Sequence, residues 1–361
     1  MIRILHAADL HLDSPFASLP PEQAAQRREE QRQIVRQLAD ECSLRSCHLL
    51  LLAGDLFDSD QIYQETAELL CDALGGLRAQ VFITPGNHDP WSPGSPYATL
   101  SWPDNVHVFR SAAPEAVRLE QPAVTVYGAA FTEPHAGSLL EGFSAADDGA
   151  LSVLVIHGTL DDPNSRYNPI SEEQIAASGV NYLALGHVHR RQERVVGKTT
   201  VVNPGCAMGR GFDETGPKGA VYAELDENGC RLFPVDLGAR VYESLTVRVE
   251  GDPLAAIQAA LPEKTERDLY RIRLVGDCPT PDPDQLHAAL DSRFYALELI
   301  DETLPPLELW KDAGEDSLKG EFLRQLKECY DADTDRDARR LVAEAARLGV
   351  AVMEGREVPE L

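Results

Sequence analysis

Five apolar segments of this chain each run straight into a short cluster of metal-ligating or acid–base side chains, and any fold it adopts must account for that. The clusters are Asp9-x-His11, Gly54-Asp55, Gly86-Asn87-His88-Asp89, His157-Gly158 and Gly186-His187-x-His189. The segments before them, at 2–8 (IRILHAA), 48–54 (HLLLLAG), 81–84, 152–156 and 182–185, are short and mostly aliphatic. Continuous apolar runs of that length read as strands covered on both faces. Open α/β sheets place their sites at the carboxyl ends of strands, so clusters at equivalent positions converge in space although they stretch from residue 9 to residue 189. A single histidine at a strand end is ordinarily a hydrogen-bonding residue, and a single Gly-Asp is a turn. Five such clusters, each at a strand end, point instead to one site. His6, His48, His107, His135 and His287 stand outside the pattern and read as core or surface residues.

Between the strands the pattern predicts a polar helix over 21–47 and a second over 61–76, closed by Gly75 and Gly76. Further strands are expected at 106–109, 124–130, 199–203, 219–225 and 231–236. After about residue 240 the texture changes to strand 243–250, helix 253–261, strand 269–276, helix 282–292 and strand 294–301. That βαβαβ order reads as a small separate α/β domain, with a boundary at Leu304-Pro305-Pro306. Two helices follow at 316–330 and 334–348, with apolar positions at Leu318, Phe322 and Leu326 and at Leu341, Ala345 and Leu348. The expected division is 1–238, 239–304 and 305–361, in an α/β fold.

Aspartate, asparagine and histidine without cysteine form a hard-to-borderline ligand set, suited to Mn²⁺, Mg²⁺, Fe²⁺ or Zn²⁺. Two such cations need a bridging anion, and Asp55, after a glycine that lets the backbone turn, is the natural carboxylate for it. Asp9 and His11 can reach one cation, and the neutral Asn87 limits negative charge around the other. A cation pair activates water, polarises phosphoryl oxygens and aligns the attack. His88, beside Asn87, has the chemistry to protonate a departing alkoxide.

Composition narrows the class. The start, MIRILHAADLHL, has no basic region followed by an apolar one, and seven scattered cysteines include no CxxC pair, so reduced thiols in the cytoplasm are expected. No apolar run approaches the roughly 20 residues of a membrane helix. The net charge of −26 weighs against an autonomous DNA-binding protein, which should carry a basic footprint.

The ordered set DxH, GD, GNHD, HG and GHxH resembles the calcineurin-like metallophosphoesterase superfamily. Within it the chain is most similar to the SbcD-type DNA repair exonucleases, through DLHLDSPF at 9–16, AGDLFDS at 53–59, TPGNHD at 84–89 and NPGCAMGRGFDETGPKG at 203–219. The opening HLDSPF is most like the YhaO subgroup. The resemblance implies a two-sheet sandwich flanked by helices, a small α/β cap domain and C-terminal helices. It implies a first metal held by Asp9, His11, Asp55 and His189, a second by Asp55, Asn87, His157 and His187, and His88 as acid or transition-state partner. It departs from the pattern at Asp58, where many members carry histidine, and at Cys206, where serine is common. No base adjoins Cys206 in sequence to activate its thiol.

The resemblance also implies Mn²⁺-type nuclease activity on DNA, an SbcC-like ATPase with long coiled coils docked on the C-terminal helices, and a homodimer. Residues 190–218 carry Arg190, Arg191, Arg194, Lys198, Arg210 and Lys218 against Glu193, Asp213 and Glu214. Arg190, Arg191 and Arg210 are therefore candidate contacts for a phosphodiester backbone, although Arg and Lys on a strand edge also serve simply to block aggregation. A small-molecule phosphodiesterase or phosphatase remains the alternative. An intact ligand set argues against a non-catalytic regulatory subunit.

Overall fold

In a computed structural model of the chain, which describes residues 1–277, 283–304 and 310–356, contacts divide the polypeptide into two units, Met1–Val241 and Tyr242–Leu361. The first unit begins β1 (Ile2–Ala7), α1 (Pro21–Leu44), β2 (Leu49–Ala53), α2 (Gln64–Gly75), β3 (Gln80–Thr84), α3 (Pro96–Thr99), β4 (Val106–Val108), β5 (Glu115–Glu120) and β6 (Ala123–Gly128). It continues with β7 (Leu151–His157), β8 (Thr159–Leu160), β9 (Pro169–Ile170), α4 (Glu172–Ser178), β10 (Tyr182–Gly186), β11 (Gln192–Val196), β12 (Thr199–Asn203), β13 (Gly219–Asp226) and β14 (Gly229–Asp236).

Two six-stranded sheets result, in the orders β14-β13-β1-β2-β3-β4 and β11-β12-β10-β7-β6-β5. Each has a parallel core, β1 to β4 in one and β12-β10-β7-β6 in the other, with antiparallel strands outside it. Alternation along the strands builds the layers. Leu49, Leu51 and Ala53 of β2 meet Val153, Val155, Tyr182 and Ala184 of the second sheet. Leu50 and Leu52 face the other way, onto Ile34, Val35 and Leu38 of α1 and Leu70 and Leu74 of α2. On the far side Leu154, Ile156, Leu183 and Leu185 pack with Ile175 of α4. This is the expected two-sheet sandwich flanked by helices. Strands β5 and β11 carry no apolar run that would mark them in the sequence, because they are sheet edges whose residues are largely exposed.

Helix α1 is polar in sequence, yet two of its polar side chains are buried and position loops. Gln31 Nε2 donates to the His11 carbonyl at 2.7 Å, and Arg27 Nη2 to the Gly209 carbonyl at 2.8 Å.

The second unit carries β15 (Tyr242–Glu250), α5 (Pro253–Ala260), β16 (Leu269–Asp277), α6 (Pro283–Leu290) and β17 (Ala296–Leu304), followed by α7 (Leu318–Ala332) and α8 (Arg336–Met353). Strands β15, β16 and β17 form a parallel sheet with a core of its own around Val247, Ile257, Ile272 and Leu286. Leu304 ends β17, and the Pro305-Pro306 boundary lies outside the described residues, as does Cys278. Helices α7 and α8 pack through Leu323, Ala346 and Val350, with Phe322 and Leu326 partly covered. Leu318 and Leu341, expected on the packed face, are 79% and 69% exposed. The buried stripe is thus rotated from the expected one, because the small side chains of Ala346 and the bare Gly349 backbone let Phe322 approach closely. No helix among the described residues is long and apolar enough to cross a membrane.

Between the two sheets of the first unit, His6 is wholly buried, with Nδ1 3.1 Å from the Tyr182 hydroxyl and Nε2 3.1 Å from the Leu185 carbonyl. Burial holds its imidazole down to about 3, against 6.5 when free. The fold therefore prefers the neutral ring, and this contribution is complete above the free value and is lost as pH falls from about 6.5 toward 3. His6→Gln cannot take the charge. It is expected to destabilise by roughly 1–2 kcal/mol at pH 7 through its poorer hydrogen bonds, and by less, or not at all, at pH 4, as read from urea unfolding at both pH values.

Candidate metal centre

All five clusters lie at the carboxyl ends of parallel strands, three on one sheet and two on the other. Asp9 and His11 follow β1, Asp55 follows β2, and Asn87 and His88 follow β3. His157 closes β7, and His187 and His189 follow β10. Asp9, His11, Asp55 and His187 hold left-handed backbone angles, φ of 51°, 44°, 49° and 99°. Such conformations cost non-glycine residues about 1–3 kcal/mol each and gather at functional sites. The glycines beside them solve a crowding problem. A Cβ on Gly54 would lie 2.2 Å from His157 Nδ1, and one on Gly86 2.1 Å from Asp55 Oδ1.

Asp55 is anchored by one oxygen and presents the other. Oδ1 accepts the His88 backbone N–H at 3.0 Å. Oδ2 lies 3.7 Å from His11 Nε2 and 3.4 Å from His157 Nε2, and so stands between two groups of ligands. Asp9, His11 and His189 make one group, and Asp55, His157 and His187 the other. Asp9 is tied across the sheets, both its oxygens accepting the His187 backbone N–H at 3.0 Å.

The imidazoles reveal what the pocket is built to hold. His157 Nδ1 lies 2.9 Å from the Ala53 carbonyl, His189 Nδ1 2.6 Å from Glu214 Oε1, and His11 Nδ1 3.2 Å from Asp58 Oδ1. A ring nitrogen facing an oxygen acceptor carries the hydrogen, so in the neutral ring the opposite nitrogen offers a lone pair. The inward-facing atoms converge. His11 Nε2 and His189 Nε2 are 3.2 Å apart, and His157 Nε2 and His187 Nδ1 lie 3.0 and 2.9 Å from Asn87 Oδ1. A hydrogen on one atom of each contact bridges it, and a cation can take that hydrogen's place. With a carboxylate, an amide oxygen and imidazoles as donors, the set suits two divalent cations.

Without a cation, a proton takes part of that role. Burial would lower the His157 imidazole, but the Asp55 carboxylate outweighs it and lifts the group to about 9. Burial would likewise raise the Asp55 carboxyl, and the surrounding histidines, His157 foremost, hold it far below the usual range. Burial, then the His157 charge, push His187 down to about 4. His88 is exposed, its ring set edge-to-face on His11 with centroids 4.8 Å apart.

Three positions have roles the sequence did not disclose. Asp89 is buried, accepting Gly86 N–H at 2.7 Å and Phe57 N–H at 2.9 Å, together with the Tyr97 hydroxyl at 2.5 Å, and so locks the two loops around Asp55. Burial raises its carboxyl to about 7. Asn168 donates to the His157 carbonyl at 2.7 Å. Glu214 stands behind His189, and in the sequence it reads only as an opposing charge in a basic stretch. A carboxylate behind a ligating histidine is a common requirement of metal sites, so the histidines themselves were the available signal. Cys206 is buried, and burial pushes its thiol well up, which leaves no reactive thiolate.

The basic stretch is largely neutralised from within. Arg191 pairs with Glu193, Arg194 with Asp161 at 2.6 Å, and Arg210 with Asp58 and Glu214 at 2.8 and 3.1 Å. Lys218 Nζ donates to the His189 carbonyl at 3.1 Å. Arg190 is exposed, with no ion pair among the described residues.

The profile of the calcineurin-like phosphoesterases matches residues 2–191, more than half of the sequence. The chain belongs to that family. Membership carries metal-dependent phosphoester hydrolysis as the general chemistry of the site. Over 233 residues the chain is 33% identical to the uncharacterized metallophosphoesterase YhaO of Bacillus subtilis, covering 60% of this chain and 56% of that protein. It is 24% identical over 347 residues to the DNA double-strand break repair protein Mre11 of Methanopyrus kandleri, covering 85% of this chain and 74% of the relative. To the SbcD component of the nuclease SbcCD of Rhodobacter capsulatus it is 34% identical over 94 residues, 25% of this chain and 22% of that one. The chain thus spans little more than half the length of YhaO.

A cation entering beside His157 must displace the proton that Asp55 keeps on that ring. Mn²⁺ affinity is therefore expected to rise with pH between 6.5 and 8, by about tenfold per pH unit where one proton is released. Calorimetric titration in two buffers of different ionisation enthalpy measures the proton count. A count of zero at pH 7 would remove His157 from the ligand set.

Proposed function

We propose that this chain is a two-metal phosphodiesterase acting on DNA, with the first cation held by Asp9, His11, Asp55 and His189 and the second by Asp55, Asn87, His157 and His187. The observation that carries the reading is the Asp55 carboxylate, whose Oδ2 stands 3.7 and 3.4 Å from imidazole nitrogens of the two groups. Cations held there activate water and neutralise charge developing on a phosphoryl group. In this reading the cations are Mn²⁺, and the same oxygen and nitrogen donors also accept Mg²⁺, Fe²⁺ or Zn²⁺. His88, exposed and set edge-to-face on the His11 ring, is in this reading the group that supplies a proton to the leaving oxygen.

DNA as substrate is supported by the likeness to a DNA double-strand break repair protein, Mre11, and to a subunit of the nuclease SbcCD. The chain's own charge asks for help: at −26, and with Arg191, Arg194 and Arg210 already paired, the 190–218 stretch leaves few open cations, Arg190 among them, for contact with a backbone. An SbcC-like coiled-coil ATPase supplies that grip in this reading. Its docking element is the α7–α8 pair, which leaves Leu318, Leu341 and Val352 exposed. The small α/β unit of β15 to β17 acts as a cap, two chains pair as a homodimer, and the six free cysteines among the described residues fit a reducing cytoplasm. The same internal pairing of arginines favours a second reading, a phosphodiesterase for small molecules.

Incubation with Mn²⁺, labelled duplex DNA, single strands and bis-p-nitrophenyl phosphate in parallel separates the two. Cleavage of the small diester alone would replace the first reading by the second. His88→Ala is expected to keep both cations and to lose about 100-fold or more in turnover on DNA. The loss should be much smaller on bis-p-nitrophenyl phosphate, whose leaving group needs no proton. Equal losses on both substrates would take the acid role from His88. Removal of 312–361 is expected to abolish capture of an SbcC-like ATPase while hydrolysis of the small diester persists, and loss of both would end the docking assignment.

A further inference from the structure

We propose that Arg210 is a positioning residue for the first cation site, acting through two carboxylates that stand behind His11 and His189 rather than on the substrate. The inference rests on the two-cation reading above. His11 and His189 aim their Nε2 atoms at one point, 3.2 Å apart. A carboxylate stands behind each ring, hydrogen-bonded to His189 and in ion-pair range of His11. Glu214 Oε1 sits 2.6 Å from His189 Nδ1, and Asp58 Oδ1 3.2 Å from His11 Nδ1.

Arg210 joins the two carboxylates. Its Nη1 lies 2.8 Å from Asp58 Oδ1, its Nη2 3.1 Å from Glu214 Oε1, and its backbone N–H donates to Glu214 Oε2 at 2.7 Å. A guanidinium presents its donors in a rigid plane, so its two arms fix the separation of the groups they bind. The chain of contacts therefore runs His11, Asp58, Arg210, Glu214, His189, and closes at the cation between the two rings. Asp58, Arg210 and Glu214 have side chains 22%, 22% and 6% exposed, so a substrate would have to break this arrangement to reach the guanidinium.

The second site is held differently. His157 Nδ1 leans on the Ala53 backbone carbonyl at 2.9 Å, and Asn87 belongs to the same loop as Gly86 and Asp89. Its geometry comes from strand backbone and a buried turn, with no arginine involved. Removal of Arg210 is thus expected to disturb one site and spare the other. The sign of the effect is diagnostic. Deleting a positive charge next to a cation site, by Coulomb's law alone, tightens cation binding. Loss of positioning weakens it.

The test titrates Mn²⁺ into the full chain by calorimetry, with electron paramagnetic resonance distinguishing a lone ion from a spin-coupled pair. Wild type is expected to take two ions; failure to do so would sink the two-cation reading itself. Arg210→Met is expected to weaken the first site by about 10–100-fold, the scale of lost outer contacts at metal sites, with the second site changed less than threefold. A lone-ion spectrum should then appear at Mn²⁺ concentrations where wild type shows the coupled pair. Arg191→Met, which removes an equal charge from the same stretch, should leave both sites unchanged. With Mn²⁺ restored to saturation, KM for bis-p-nitrophenyl phosphate should match wild type. First-site binding that is unchanged or tighter, or a raised KM with normal metal binding, would overturn the proposal. Should Arg210→Met fail to fold, Arg210→Gln carries the same test, since it removes the same positive charge and the two-armed bridge between Asp58 and Glu214 while keeping a polar side chain.

Discussion

The close convergence of imidazole nitrogens and an amide oxygen is the constraint on which the site depends. Two imidazole nitrogens stand 3.2 Å apart, and an amide oxygen lies 3.0 and 2.9 Å from two more. Without a cation those distances need a hydrogen on one atom of each contact, and the His157 ring, facing oxygens at both nitrogens, satisfies both only when protonated. They persist because the strands that deliver them are the buried central strands of two packed sheets. The opposite sides of two rings are also hydrogen-bonded to oxygens, at Ala53 and Glu214, and a third ring stands against the Asp58 carboxylate. The sandwich supplies rigidity, and the rigidity maintains an electrostatic demand that cations answer.

The features legible in the sequence were those carried by burial. β2 is five consecutive buried residues, and β7 and β10 are nearly or wholly so, which is why their continuous apolar runs read correctly and why the polar residues after them could be placed at strand ends. The α/β class and the gathering of Asp9, His11, Asp55, Asn87, His157, His187 and His189 followed from that one pattern, whereas the two-sheet sandwich came from the resemblance to the family. Strands β5 and β11 lie at sheet edges, expose alternate residues and look like polar loops.

The partners of the ligands were harder to see, for a physical reason. A ligand is recognisable by type and by its place after a strand. A residue that steadies it can come from anywhere that reaches, as Asp58, Asp89, Asn168 and Glu214 do. The arginines show the same gap between composition and geometry. A segment dense in Arg and Lys suggests an anion site, but whether a guanidinium is open or already engaged depends on carboxylates from remote positions, such as Asp161 for Arg194 and Asp58 for Arg210. In the α7–α8 pair the apolar spacing was right in kind and wrong in phase, since Ala346 and Gly349 set the approach and small residues carry little weight in a hydrophobic pattern.

The ligands come from both sheets, and Asp9 is hydrogen-bonded directly to the backbone of His187 on the opposite one. An occupied centre is therefore a rivet through the open rim of the sandwich, and its binding free energy adds to the stability of the whole unit. Cation affinity and resistance to unfolding then draw on the same side chains and cannot be tuned apart. A lineage that relaxed its grip on the ions would also be loosening the seam between its sheets.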